Sequence, residues 1–415
     1  MDRTVEARIG IIGGGAAGLS AAHALARLGY RNVTVLEKTD LPGGKCFTVH
    51  HEGLSYELGA GALTRAYKNV RELMREVGMR AVPKTSGLFV DVEHGTQTYW
   101  PAPIREEGLL GASWNWLKLY REMLRHRRLY RPGFDGIDRE LCRPFSEFCE
   151  RKGLLPAAGF IEPWFTSFGY GYFPDIPAAY VLKYVTIFAA PLFEILDGGY
   201  GGLWERVARG LDVRLGVEIS QIKRSSRVAV QTRSHGTFDF DSLILACPFE
   251  QTLSFLDFSA EEKRLFEKIR YENYHVIGAA VEKMPDARYV FFPAHFSAHA
   301  EGKPMFMYRR WRRSKLHLFY SLGGKEGTLE TSVASLREMV SKLGGKISDI
   351  HFEKAWRYFP HVNPGDMEAG FYEEMERMQG ERRTYYAGEL LSFGVVEAVV
   401  AYSRRLVERF FRTPS

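Results

Sequence analysis

The stretch IGIIGGGAAG, residues 9–18, runs from an apolar segment into a cluster of glycines, and LSAAHALARLGY, residues 19–30, follows at once. Gly13, Gly15 and Gly18 fall at the spacing G-x-G-x-x-G. Arg8 to Ile12 reads as a short buried strand. Leu19 to Leu28 reads as an Ala-rich helix with Leu19, Ala22 and Ala26 on one face. At such a junction Gly13 permits the tight turn, Gly15 lets a pyrophosphate approach bare backbone, and Gly18 lets helix and strand pack closely. The free N–H groups and positive dipole end of the helix favour an anion. A second strand, NVTVLE, ends in Glu37, an acid about 20 residues on, where the two hydroxyls of a ribose need an acceptor. The acid argues against a 2′-phosphate. These residues predict an α/β domain with a dinucleotide at its glycine turn.

The next residues narrow the choice of dinucleotide. KTDLPGGKCFT, residues 38–48, carries a second glycine pair, Gly43 and Gly44, followed by Lys45. YELGAGAL follows at 56–63. No second G-x-G-x-x-G occurs, so no separate site for NAD(P)H is expected. Near the C-terminus RRTYYAGELLSFGVVEAVVAYSRRLVERFF, residues 382–411, reads as a strand at Tyr385–Ala387, a turn at Gly388 and Glu389, and an amphipathic helix from Val396. A second helix N-terminus thus points at the same ligand from the far end of the chain.

This motif set resembles the FAD-binding amine oxidase and phytoene desaturase superfamily, over the whole chain. The resemblance implies a Rossmann-type, glutathione-reductase-like FAD-binding domain with an inserted mixed-sheet substrate domain and a helical cap. FTSFGYGYFPDIPAAYVLKYV (165–185) and YFPHVNPGDMEAGFYEEMERMQGERRTYYAGELLSFG (358–394) further resemble the bacterial flavin-dependent polyunsaturated fatty acid isomerases. Those enzymes move one cis double bond of linoleate to give a conjugated diene. The resemblance implies FAD contacts at Gly13, Gly15, Ala17, Gly18, Glu37, Lys38, Gly44, Lys45, Gly59, Ala60, Gly388 and Glu389. It implies that Val217, in LDVRLGVEISQI, holds the adenine through its backbone, and that Val396 sits at the pyrimidine edge of the flavin. Phe193 is expected in the substrate cavity near the isoalloxazine, with Phe168, Tyr170 and Tyr184 as further lining. One departure bears on the substrate. Where the isomerases are expected to carry arginines suited to a fatty carboxylate, this chain has Thr85, Ser86 and Gly87.

An allylic C–H of a polyene is too weak an acid for side-chain bases, but it is a good hydride donor because the cation left behind is delocalised. Hydride passed to flavin N5 and returned to another carbon of the same molecule moves a double bond with no net oxidation. That chemistry needs no acid–base pair and no nicotinamide; the cofactor carries it and the protein supplies orientation and dryness. No catalytic acid or base and no metal site is assigned. His275, His317 and His361 read as structural. The alternatives are an amine oxidase or desaturase that passes electrons to O₂ or a quinone, and a flavin-binding protein without catalysis.

Ten aromatic residues between Trp164 and Phe193, interrupted by Gly169, Gly171, Pro174 and Pro177, suit either a packed core or a hydrophobic channel. The chain has 415 residues, 45% hydrophobic and 26% charged, the values of a globular protein. The start, MDRTVEAR, lacks a signal-peptide pattern, and no window approaches the ~18 apolar residues of a membrane span. The four cysteines form no C-x-x-C pair, so a cytoplasmic protein with reduced thiols is expected. Cys46, beside the glycine doublet, reads as a packing residue or a reactive thiol. The net charge of +6 comes from 56 bases interspersed with 50 acids, unlike a nucleic-acid binder.

Two places concentrate base. In residues 111–131, with Leu110 just before them, Leu110, Trp114, Leu117, Tyr120 and Leu124 fall on one helical face beside Lys118, Arg121, Arg125 and Arg128. This is the pattern of a helix lying on an anionic membrane, and also of a core-packed helix with a solvated face. The other place is YRRWRRSK, with Arg309, Arg310, Arg312 and Arg313. The expected organisation is discontinuous: 1–75, 200–260 and 375–415 form the FAD-binding domain. Residues 76–199 supply strands and a helical cap over a cavity for a small lipid substrate, and 261–374 a substrate-domain sheet and helix.

Overall fold

The computed structural model describes residues 6–83, 87–92, 96–98, 101–186, 193–325 and 327–412. Thr85 and Ser86, where the family arginines were sought, lie outside the described residues. At the centre is a five-stranded parallel sheet, in the order Asp212–Arg214, Val33–Leu36, Ile9–Ile12, Ser242–Leu245, Thr384–Tyr386. Ile9–Ile12 is buried throughout and occupies the middle position. A strand covered on both faces is apolar throughout rather than alternating. Ala16–Arg27 packs beside it, and Val396–Phe410 packs on that helix from the other end of the chain. Three distant stretches of sequence therefore meet in one sheet with one set of strand ends.

A seven-stranded mixed sheet stands beside the first, in the order Lys346–His361, Arg270–Glu282, Leu316–Leu322, Phe306–Tyr308, Tyr289–Phe291, Gly87–Val90, Gln97–Thr98. Its neighbours are antiparallel except Tyr289–Phe291 against Gly87–Val90, which run parallel. Strands from both inserted stretches thus share one sheet. Phe193–Leu196 lies in a separate small sheet between Leu63–Thr64 and Ala81–Pro83. The helices Leu155–Phe165 and Ala178–Val185 bring the aromatic stretch over the mixed sheet. Tyr274 of that sheet donates its hydroxyl to the Ser167 carbonyl at 2.7 Å.

The four thiols are free, and burial pushes each above the ordinary value. Cys46, Cys142 and Cys149 are buried, and burial pushes Cys142 up to about 11 and Cys149 to about 12. Cys46, the reactive candidate, is driven up by burial further still, so its thiolate is not accessible and the packing reading holds. The basic run at 309–313 does not form one patch. Arg310 is buried, reaching the Leu196 carbonyl at 2.9 Å and Glu57 at 3.5 Å, and Arg309 pairs with Asp286 at 2.8 Å. The three histidines are structural. The Nδ1 atoms of His275, His317 and His361 meet Ser332 Oγ at 2.8 Å, the Lys315 carbonyl at 2.7 Å and the Phe359 carbonyl at 2.8 Å. Burial lowers His317 and His361 to about 4.

One buried ionic cluster joins a three-stranded antiparallel sheet, Ile219–Arg224, Val228–Thr232 and Thr237–Phe240, to the central sheet. The Arg224 guanidinium, fully buried, donates to Asp257 Oδ1 at 2.7 Å and to both oxygens of Glu262, and reaches Thr384 Oγ1 at 3.2 Å. Burial alone would raise the Glu262 carboxyl, but Arg224, Tyr386 and the Ser259 amide outweigh it and hold it below the ordinary value. Removing one partner strands the other charge. Glu262→Gln is expected to cost about 3–5 kcal/mol of unfolding free energy, read by denaturant titration. The depressed carboxyl contributes stability above its unfolded pKa of about 4.3, and the contribution fades as pH falls through the folded value. The gap between wild type and Glu262→Gln should therefore narrow in acid and stay constant from neutral pH upward.

Candidate active site: a glycine-lined cleft and an aromatic cavity

The ends of the parallel strands open into a cleft of about 810 Å³. Gly13, Gly15, Ala17, Glu37, Lys38, Gly44, Lys45, Ala60, Val217, Gly388, Glu389 and Val396 all line it. Of the expected cofactor residues only Gly18 and Gly59 do not. A Cβ on Gly18 would stand 2.0 Å from the Gly13 carbonyl oxygen, so its role is the close packing of helix on strand. Gly59 lies one step deeper, in the wall of the adjoining cavity. Gly13 has φ 108° and passes against the Ala246 carbonyl, so only glycine makes the turn.

The cleft is shaped for an elongated anion. A Cβ on Gly15 would meet nothing nearer than Gly44 Cα at 3.8 Å, so the space above that backbone is open to a pyrophosphate. Gly15 caps Ala16–Arg27 without a side-chain partner, which leaves the first helical N–H groups to a ligand. Glu37 is buried at the end of Val33–Leu36. Its Oε2 accepts from the Gly14 amide at 2.7 Å, and its Oε1 from the Thr39 amide and hydroxyl, both at 2.8 Å. A carboxylate has about four acceptor positions, so one remains for a ribose hydroxyl. Val217 donates its N–H to the Glu37 carbonyl at 2.8 Å, which leaves only its carbonyl for an adenine. Lys45 and Glu389 pair with each other across the cleft, and the Lys45 ammonium stands 5.4 Å from the Tyr358 ring centroid. Lys38 reaches Gln251 at 3.3 Å near the rim. Glu389 opens a short helix, Glu389–Ser392, rather than a simple turn.

Against the inner end of the cleft lies a second, smaller cavity of about 70 Å³. Phe168, Tyr170, Tyr184 and Phe193 line it together, and the two spaces share Ala60, Tyr358, Gly394 and Val396. Phe193 stacks on Trp164 at 4.7 Å and 15° between ring planes, and Phe291 stands edge-on to Trp164 at 4.6 Å. Seven of the eleven rings were not foreseen from sequence: Tyr274, Tyr289, Phe306, Tyr308, Tyr320 and Tyr358 come from the mixed sheet, and Tyr67 from the turn after Leu63–Thr64. Phe306 and Tyr308 are two apart on one strand, the period that places both side chains on one face. That signal was available in the sequence but could not say which face met the aromatic stretch.

The described lining of this cavity includes eight tyrosines and three phenylalanines, with no Asp, Glu, His, Lys or Arg. Burial drives the hydroxyls of Tyr170, Tyr184 and Tyr274 well above the ordinary phenol value and raises Tyr358 as well, so all stay protonated. No group of three or more His, Cys, Asp or Glu among the described residues could hold a metal.

Residues 16–400 match the family described as flavin containing amine oxidoreductase. The chain belongs to that family. Its cofactor is FAD, and the glycine cradle, the buried acid and the cleft fit that group. This flavin amine oxidoreductase is also similar, over 98% of its length and 99% of the other chain, to the crystal structure of a CLA-producing fatty acid isomerase from P. acnes, with 31% identity and a TM-score of 0.92. A polyenoic fatty acid isomerase of Ptilota filicina is 33% identical over 104 residues, 23% of this chain and 21% of that protein, so the match spans about a fifth of that relative. A polyamine oxidase of Arabidopsis thaliana is 25% identical over 339 residues, 72% of this chain and 66% of that one.

Replacing Glu37 removes the ribose acceptor and also the brace of the Gly14 turn. A charge-assisted hydrogen bond is worth about 1.5–3 kcal/mol. Glu37→Ala should therefore purify folded but with well below one flavin per chain, measured as visible flavin absorbance against protein. Full flavin occupancy in that variant would remove Glu37 from the site.

Proposed function

We propose that this protein is an FAD-dependent double-bond isomerase acting on a polyunsaturated fatty acid to give a conjugated diene. The observation that carries the reading is the aromatic cavity set against the cofactor cleft, with no ionisable lining group other than tyrosine. The overall likeness to a fatty acid isomerase structure supports it. FAD bound in the cleft would supply reversible hydride transfer at its N5. Gly13, Gly15, Glu37 and Gly388 would hold its phosphate and ribose, and Val217 and Val396 its two ring systems.

The chain's own part is to place and shield an apolar segment. Phe193, fixed by Trp164, holds the acyl chain against the shared wall. The cavity, about 70 Å³, is too small for a whole long acyl chain, so the remainder extends past its rings. Buried tyrosine hydroxyls held protonated offer neither a base to strip a proton nor a charge to trap a cation. Aromatic faces stabilise a developing allylic cation by about 0.5–2 kcal/mol each when desolvated. The described lining carries no carboxylate, and the likeness over the whole chain to a fatty acid isomerase structure favours the isomerase over an amine oxidase. With no cation in that lining either, the acid head group is expected to lie outside the cavity.

Phe193→Leu should keep its flavin and its fold while turnover falls about tenfold, if one aromatic contact of roughly 1.4 kcal/mol acts only in the transition state. The measurement is conjugated-diene absorbance from linoleate without oxygen. Substrate deuterated at the bis-allylic carbon should return deuterium within the product. Stoichiometric peroxide in air with no isomerised product would refute the isomerase.

A further inference from the structure

The long helix Ala102–Arg125 is built the wrong way round for a helix that only packs on a core. Gly108, at φ 70° and ψ 179°, breaks it. Beyond that break, residues 109–125 run about 25 Å at 1.5 Å per residue. Their inward face carries Ala112, Asn115, Leu119 and Glu122, with His126 just past the end, all buried. Three of these five are polar. The outward face carries Leu110, Trp114, Leu117, Tyr120 and Leu124, which are 89, 60, 55, 55 and 55% exposed. Leu119 is buried and Trp116 and Met123 pack partly inward, yet five large apolar side chains stand in solvent while three polar ones are held inside.

Each of the inward polar groups faces a polar or charged partner. Asn115 donates to Glu107, His126 Nδ1 meets Asp138 at 2.6 Å, and Glu122 faces Lys152 at 3.6 Å. The helix therefore cannot roll to bury its apolar stripe without stranding these groups. Its end is pinned as well. Lys183 donates to the carbonyls of Leu129 at 3.2 Å and Arg131 at 3.0 Å, and to that of Gly133.

Charge selects what covers the stripe. Between residues 109 and 131 stand Lys118, Arg121, Arg125, Arg127, Arg128 and Arg131, and the one acid, Glu122, is buried. Arg121, Arg125, Arg127 and Arg128 are exposed. A rigid stripe of Leu, Trp and Tyr bordered by bases suits the interface of an anionic bilayer, with Trp and Tyr at the head groups and the bases on the phosphates. No helix among the described residues is long and apolar enough to cross a membrane, so the contact is with its surface.

We propose that residues 109–131 dock this protein on an anionic lipid surface. The position serves the substrate. This helix packs on Leu155–Phe165, with Trp116 and Phe160 at 5.5 Å, and Trp164 of the latter stacks on Phe193 at the cavity. One helix thus separates the docking face from the aromatic wall. Use of that path by an acyl chain rests on the isomerase reading, but the docking does not.

The test uses the full-length flavoprotein floated with phosphatidylglycerol or phosphatidylcholine vesicles. Wild type should float with phosphatidylglycerol in severalfold excess over phosphatidylcholine, with less binding as salt is raised. At about 1 kcal/mol per surface base, Arg121→Gln with Arg125→Gln should weaken that binding by roughly tenfold or more. Trp114→Ser with Leu117→Ser should abolish it, while flavin content and turnover of monomeric substrate stay at wild-type levels. Brominated lipid should quench tryptophan emission in wild type and much less in Trp114→Phe. Equal recovery with both vesicles, or flotation of Trp114→Ser with Leu117→Ser at the wild-type level, would overturn the proposal. So would a dimer in sedimentation that Trp114→Ser dissociates and that does not float, since a second copy would then cover the stripe. Flotation reads no activity, so a protein that floats but does not isomerise refutes only the function proposed above.

Discussion

The contact between the Glu37 carboxylate and the Gly14 amide, 2.7 Å long, ties the end of one parallel strand to the glycine turn that follows its neighbour. Around it the Gly43 amide reaches the Gly14 carbonyl at 2.8 Å, and Val217 reaches the Glu37 carbonyl at 2.8 Å. Three segments far apart in sequence are thus held at one point. The acid serves twice there. It braces a turn whose open backbone an anion can approach, and it keeps acceptor capacity facing the cleft. A residue needed for both tasks tolerates little change, because a substitute must be acidic, buried and of the same reach.

Beyond that junction the site becomes progressively drier. The cleft carries acids and bases among its glycines and apolar side chains, and the adjoining cavity carries rings, glycines, alanines and valines, with no acid, base or histidine among those described. Burial raises the phenols and lowers His317 and His361 in the mixed sheet, in each case by penalising the charged form. The chain thus sets a charged, anion-accepting compartment directly against a neutral one. In such an arrangement the cofactor carries the reactivity and the protein restricts which neighbour it meets.

The helical cap has a different logic. Leu155–Phe165 and Ala178–Val185 bury most of their apolar side chains, Trp164 stacking on Phe193 and Tyr184 lining the cavity. Ala102–Arg125 inverts that pattern, keeping Asn115, Glu122 and His126 inside, each with a polar partner. Exposed apolar patches of this kind mark interaction surfaces. The polar interior fixes the rotation of the helix, so its exposed stripe is a property of the fold and not of a loosely packed element.

How much was legible in advance followed from how local each signal is. G-x-G-x-x-G between strand and helix, Glu37 at the end of the next strand, and AGE before the last helix are short-range patterns, and they were enough for the FAD-binding fold and the residues that line the cleft. Backbone hydrogen bonds and turn sterics act over a few residues, so sequence alone determined them. The aromatic stretch 164–193 was visible as composition, but channel and core look alike in one dimension. Only the tertiary structure brought Tyr289, Phe306, Tyr308, Tyr320 and Tyr358 against Phe193, because that wall forms by sheet register and packing between segments far apart in the sequence. The same holds for Leu110–Leu124. Its stripe could be read from helical periodicity, yet periodicity is symmetric between inside and outside. The partners of Asn115, Glu122 and His126 broke that symmetry, and they become neighbours only when the chain has folded.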